Sequence, residues 1–241
     1  MITFARRNAK EILRDPMNLV FGIAFPVVLM LLLSAIQANI PVPLFELEHL
    51  APGITVFGLS FMALFSAVLI AKDRGSSFLR RLYTTPMTPS DFLLGYTLPL
   101  LPMAMAQTAV CYLAAFLLGM KPVPEVLMAV LCNIPASVLY IALGLLCGSV
   151  LGDKQVGGIC GALLTNVSAW LSGIWFDLKL VGGAFEKIAN ALPFVHAVEM
   201  ERAVIAGNMA GIFPHLWWVL GYGIAVLVLA VILFLRQMKR C

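Results

Sequence analysis

Charge is what this sequence has least of. Asp, Glu, Lys and Arg together make up 12% of its residues, while 61% are hydrophobic, and mean hydropathy is +0.98. Soluble domains carry about 25% charged residues, so this chain cannot cover a folded surface with polar groups. That excludes a soluble globular protein and makes lipid its solvent. The formal charge of +4 is dispersed among short loops, with no basic stripe interleaved with aromatics; this excludes a nucleic-acid partner. Ionisable groups are nearly absent from the apolar runs, which argues against a proton-coupled carrier or a voltage sensor.

Motifs that carry chemistry are equally scarce. Of five cysteines, Cys111, Cys132, Cys147 and Cys160 sit inside apolar runs, and no Cys-x-x-Cys pair occurs. Small buried apolar thiols are expected, not a disulfide framework or a zinc site. His49, His196 and His215 are isolated, with no His-Glu-x-x-His, so no metal site is expected. His196 and Glu199, three apart, can share a helix face, which makes a structural or gating pair near the outer surface. The alternative is an intramembrane enzyme built on the same two residues. Ser60 and Ser149 have no nearby base to activate them. No Gly-x-x-x-x-Gly-Lys-Ser/Thr loop occurs, so nothing here cradles the phosphates of ATP.

What is present is a series of long apolar runs, which predicts an all-α polytopic membrane protein with six transmembrane helices. The first runs from about Met17 to Ala38, with Asp15 as N-cap and Pro16 at the first helical position. It is too long for the apolar core of a signal peptide and follows Glu11 and Asp15, so it is expected to be retained. The second runs from about Gly53 to Ile70, the third from Asp91 to Gly119 with Ser90 as cap, and the fourth from Glu125 to Leu151. The fifth runs from Gly157 to Phe176, and the sixth starts at Pro214. Pro99 and Pro102 predict a kink or a break in the third. Gly144, Gly148 and Gly152 near the end of the fourth, with Gly157, Gly158 and Gly161 opening the fifth, predict a tight hairpin of these two spans.

Three segments lie outside the spans of this single transmembrane domain, residues 1–241. In residues 1–15, Ile2, Ala5, Ala9, Ile12 and Leu13 recur at helical spacing, apart from Arg6, Arg7, Lys10 and Arg14. That pattern predicts an amphipathic interfacial helix that favours anionic membrane lipid. Residues 177–213 are too polar to cross and too apolar to float free, so two outer re-entrant half-helices hinged at Pro193 are expected. Residues 71–90 hold a dense charge cluster between two spans. There Phe78, Leu79, Leu82 and Tyr83 share one arc of a short helix that leaves out Arg80 and Arg81.

The sequence has sixteen Lys and Arg residues. With the N-terminus inside and six spans, only Lys121, Lys179, Lys187 and Arg202 fall outside, and the other twelve fall inside. That asymmetry predicts cytoplasmic termini and a cytoplasmic 71–90 segment.

Asp73-Arg74-Gly75, then Phe78-Leu79-Arg80-Arg81-Leu82, then Thr85-Pro86 resembles the coupling segment of type-2 ABC exporter permeases, which export drugs, lipids and polysaccharides. The order of spans and the stretch Leu192-Pro193-Phe194-Val195-His196-Ala197-Val198-Glu199 extend the resemblance over nearly the whole chain. Many members carry a second acidic residue around the Arg; Lys72 and Ser76 flank it here.

The resemblance implies a permease subunit in a bacterial-type cell membrane, not itself an enzyme. A second, identical or homologous permease and a cytoplasmic ABC ATPase that binds ATP and Mg would be its partners. It implies ATPase coupling through Asp73, Arg74, Gly75, Phe78, Leu79, Arg80, Arg81, Leu82 and Tyr83. Pathway candidates are Phe57, Phe61, Phe65, Asn166, Ser168 and Trp170, and the expected outer gate is Pro193, His196 and Glu199. An apolar, aromatic lining suits an amphipathic or lipid-like cargo.

Overall fold

The computed structural model describes residues 2–41, 44–76 and 88–238. The elements run as α1 (Ile2–Arg14), α2 (Pro16–Leu19), a π-helical stretch (Val20–Ala24), α3 (Phe25–Gln37), α4 (Leu47–Gly75), α5 (Pro89–Leu117) and α6 (Glu125–Val150). Then come α7 (Asp153–Val156), a second π-helical stretch (Gly157–Leu164), α8 (Thr165–Leu171), α9 (Leu178–Val181), α10 (Gly183–Ala191), α11 (Pro193–Ile205) and α12 (Met209–Met238).

Five helices among the described residues are long and apolar enough to cross a membrane: Val20–Gln37, Leu47–Gly75, Asp91–Leu117, Glu125–Val150 and Met209–Arg236. The expected sixth span is helical over 153–171 but is divided among α7, the π-helical stretch and α8. No single α-helix there reaches spanning length. Gly157, Gly158 and Gly161 lie in that stretch, where missing side chains leave the backbone free to depart from the α-helical repeat.

The bundle is built around α4. Of its most apolar stretch 89% is buried, against 22% for the first span and 28% for α12. The two exposed spans therefore form the periphery of this chain and α4 the axis. Its 29 residues reach about 43 Å at 1.5 Å per residue, so both membrane faces feel its ends.

Four expectations change. The last span starts at Met209 and not at Pro214, which lies inside α12. A Cβ on Gly144 or Gly148 would strike Ala63, Ser66 or Ala67 of α4, whereas Gly157 and Gly158 face open space. The glycine stripe of α6 therefore admits the second span, not the fifth. Ser66 closes the seam by donating to the Ile141 carbonyl at 3.0 Å. The third span is not broken at its prolines: α5 runs through Pro99 and Pro102 as one helix. Its cap is Thr88, which shares a reciprocal capping box with Asp91, and not Ser90. At the start of the first span Asp15 does cap, accepting from the Met17 amide at 3.0 Å, with Pro16 following.

Candidate functional site

The last turn of α4 is where four elements meet. Asp73 is 2% exposed, and its Oδ2 accepts from Arg7 Nη1 at 2.7 Å and from the Tyr96 hydroxyl at 2.6 Å. Arg7 belongs to α1 and Tyr96 to α5, so one carboxylate oxygen joins three helices. Asn8 adds a second tie, donating to the Gly95 carbonyl at 3.0 Å. Phe4 lies edge-on to Tyr96 with centroids 5.0 Å apart, and a Cβ on Gly95 would run into the Phe4 ring. Burial opposes the Arg7 charge, but the bond to Asp73 and the charges of Asp73 and Glu11 outweigh it and raise the Arg7 pKa.

Arg74 turns the other way. Its Nη1 donates to the carbonyls of Gly148 at 2.7 Å and Leu151 at 3.2 Å, a cation on the free carbonyls that end α6. Both charged side chains thus bind inside this chain, and Gly75 closes the helix behind them, with Ser76 as its C-cap. Phe78, Leu79, Arg80, Arg81, Leu82 and Tyr83 lie outside the described residues. The segment holding them leaves α4 at Ser76 and re-enters at Thr88, so both of its legs end in elements joined by the Tyr96–Asp73 bond.

The pathway candidates do not form one surface. Phe57, Phe61 and Phe65 are buried beneath the first span. Phe25 lies 5.6 Å from Phe61 and 6.3 Å from Phe57 by ring centroids, and Trp175 lies 6.0 Å from Phe57. Ser168 is also buried, donating to the Thr165 carbonyl. Asn166 and Trp170 are exposed. With Ala162 they make a stripe of three, four residues apart, on the exposed face of the fifth run.

At the opposite end of α4, Pro193 opens α11, most of which is buried against the bundle. His196 and Glu199 bond to different partners. The His196 Nδ1 is 2.9 Å from the Nδ1 of His215, its Nε2 is 3.0 Å from the Asn190 carbonyl, and its ring stacks on Trp218 at 4.8 Å. Burial lowers the His196 pKa; the Asn190 carbonyl pulls the other way, His215 lowers it further and Glu199 raises it. Glu199 pairs instead with Arg202 at 2.8 Å. Arg202 also donates to the carbonyls of His49 at 3.3 Å and Gly173 at 3.1 Å. The two side chains named for the enzyme alternative are thus held by separate partners.

Sequence reasoning missed several of these residues. Asn8 sits between Phe4 and Ile12 at four-residue spacing, which marks it as inward-facing. Glu201 is fully buried on α11, accepting from the Tyr112 hydroxyl at 2.8 Å, and burial raises its pKa. Nothing local distinguishes it from a surface glutamate in an amphipathic helix.

A family model described as ABC-2 type transporter matches residues 1–206. No curated protein matches the chain.

Proposed function

The chain belongs to the ABC-2 type transporter family and is the permease component of an ABC transporter; from that premise we propose that it exports an amphipathic drug, lipid or glycan-type cargo, driven by ATP hydrolysis in a separate subunit. The observation that carries the coupling part of this reading is the junction at Asp73. A push on residues 71–90 enters through α4 and α5, which the Tyr96–Asp73 bond joins. Arg7 brings α1 along and Arg74 brings the end of α6. Force therefore reaches four elements at once, as rigid-body motion requires. In this reading Asp73, Arg74 and Gly75 transmit, and Phe78, Leu79 and Leu82 make the apolar contact with the ATPase.

Six spans, with 153–171 and the residues after it as the fifth, and both termini in the cytoplasm agree with the distribution of basic residues. A second permease chain is supported by Asn166, the polar member of an exposed stripe with Ala162 and Trp170; its amide donates to the Ala162 carbonyl, and its side-chain oxygen finds a better neighbour in a partner helix or a passage than in lipid. Arg202 and the His196–His215 pair act as the outer clasp that must loosen for release.

The test is reconstitution with the ATPase subunit. The homogeneous chain alone should hydrolyse no ATP, and activity should appear only with the partner. In a background without native cysteines, a cysteine placed within residues 45–49 should react with an impermeant reagent from outside, and one at Ser77 should not. Turnover by the chain alone, or reversed labelling, removes the proposal.

A further inference from the structure

Two cavities meet at Arg6. One, of about 610 Å³, is an apolar groove between α1, the first span and α5, walled by Ala5, Ala9, Leu13, Ile23, Leu98 and Pro102. The other, of about 920 Å³, follows the polar side of α1 past Lys10, Glu11, Arg14, Asp15 and Lys72. Arg6 lines both. Each falls within the range of about 300–1,000 Å³ of ligand sites.

The polar cavity is cationic because Arg6, Arg7, Lys10, Arg14 and Lys72 line it against two acids, Glu11 and Asp15. Glu11 pairs with Arg7 at 2.9 Å and, more loosely, with Lys72 at 3.9 Å. Asp15 is the N-cap of α2. Arg6, Lys10 and Arg14 make no ion pair among the described residues, and their four-residue spacing sets them in one stripe along the helix. Ala5, Ala9 and Leu13 form the next stripe, and two small side chains there keep the groove open.

We infer that this junction binds one anionic phospholipid of the cytoplasmic leaflet, its phosphate between Arg6 and Lys10 and an acyl chain in the groove beside Ala5 and Ala9. The inference rests on the proposed orientation, which puts α1 on that leaflet. Charge selects the headgroup, since a zwitterionic lipid brings its own cation to a stripe of three. Depth selects lipid over an acidic protein surface. The groove continues from Arg6 along α5 past Leu98 and Pro102 as far as Ala106, well inside the span, where an acyl chain reaches and a soluble partner does not. Bound there, the lipid would brace α1 against the first span, on the far side of α1 from the Asp73 junction.

The experiment is native mass spectrometry of the whole, delipidated chain in detergent, with phosphatidylglycerol, phosphatidylcholine or inorganic phosphate added separately. One phosphatidylglycerol per chain is expected, held in preference to phosphatidylcholine. Arg6→Gln with Lys10→Gln, both exposed and outside the Asp73 junction, should weaken it about twenty-five-fold, each cation near an anionic headgroup contributing about a factor of five. Ala9→Trp should expel the lipid by filling the groove. Equal retention of both lipids, or no response to either variant, overturns the inference. So does phosphate that displaces phosphatidylglycerol and binds Ala9→Trp as well as wild type, which makes the site a free-anion site. Lipid retention with lost ATPase association in the Arg6/Lys10 variant makes it a protein-docking surface and overturns it too. Sidedness does not enter a detergent measurement, so a failed orientation shows only in the labelling experiment.

Discussion

The Tyr96 hydroxyl donates to Asp73 Oδ2 at 2.6 Å, on the same oxygen that Arg7 reaches at 2.7 Å. The acid that ends the second span is thereby anchored to the third span and to α1 before the chain passes into the proposed coupling segment. A permease whose coupling segment hung from two independent legs would dissipate a push between them.

Tyr96→Phe tests that anchor. Losing a buried hydrogen bond to a charged acceptor costs about 2 kcal/mol, which lowers Tm by roughly 4–8 °C in a chain of this size. Arg7→Ala should also destabilise, because it leaves the buried Asp73 carboxylate without its cation. Transport per ATP hydrolysed should fall in both variants. Thermal unfolding in detergent, followed by reconstituted transport, measures the two effects. Full coupling in Tyr96→Phe would relegate the bond to stability alone.

The coupling face itself makes a separate prediction. A buried aromatic anchor contributes about 2 kcal/mol, so Phe78→Ala should weaken ATPase association about thirty-fold. Arg80→Ala should act mildly and mainly at low salt. Pull-down of the ATPase at two salt concentrations reads both. Wild-type binding by Phe78→Ala and Leu82→Ala would mean that this face rests on lipid.

The glycines of α6 and of the fifth run should part company. Gly148→Leu forces a side chain into the Ala67 backbone and should destabilise by about 1–3 kcal/mol or more. Gly157→Ala meets open space and should be neutral or stabilise, since glycine costs about 0.5–1 kcal/mol in a helix. Melting temperatures of the two variants decide. Comparable losses would restore the hairpin of spans four and five.

The outer clasp should weaken in acid. His196 has a folded pKa below its usual value of about 6.5. The unfolded chain therefore binds the proton more readily. Its contribution is fully present above about pH 6.5 and is lost as pH falls from there toward the folded pKa. The groups that face it are His215, Glu199, Trp218 and the Asn190 carbonyl. Between pH 7.5 and 5.5 wild type should lose more thermal stability than His196→Gln. Identical losses would show that the imidazole pair does not report on pH.

Hydrophobic runs and Pro and Gly punctuation made most of the helices legible in the sequence, because spanning length and backbone breaks are local properties. Asp15–Pro16 is read correctly as a helix start for that reason, while Pro193, expected as a hinge, opens α11. The division of the fifth run by its π-helical stretch was not legible, since periodicity does not distinguish a π turn from an α turn over so few residues. Which helix fills a glycine stripe was equally hidden: Gly144 and Gly148 mark a close approach without naming the partner.

By itself the sequence determined the solvent, the family resemblance, the amphipathic α1 and the charge cluster after the second span. The solvent, the amphipathic α1 and the charge cluster follow from composition or from spacing within one helix, and the resemblance from the residues of the motif itself. Only the tertiary structure decided what that cluster touches. Asp73 and Arg74 lie side by side in the chain, yet successive helical residues point about 100° apart. One therefore meets α1 and α5 and the other the end of α6. Contacts across 66 and 74 residues depend on how helices pack around α4, and no local pattern in the chain encodes that packing.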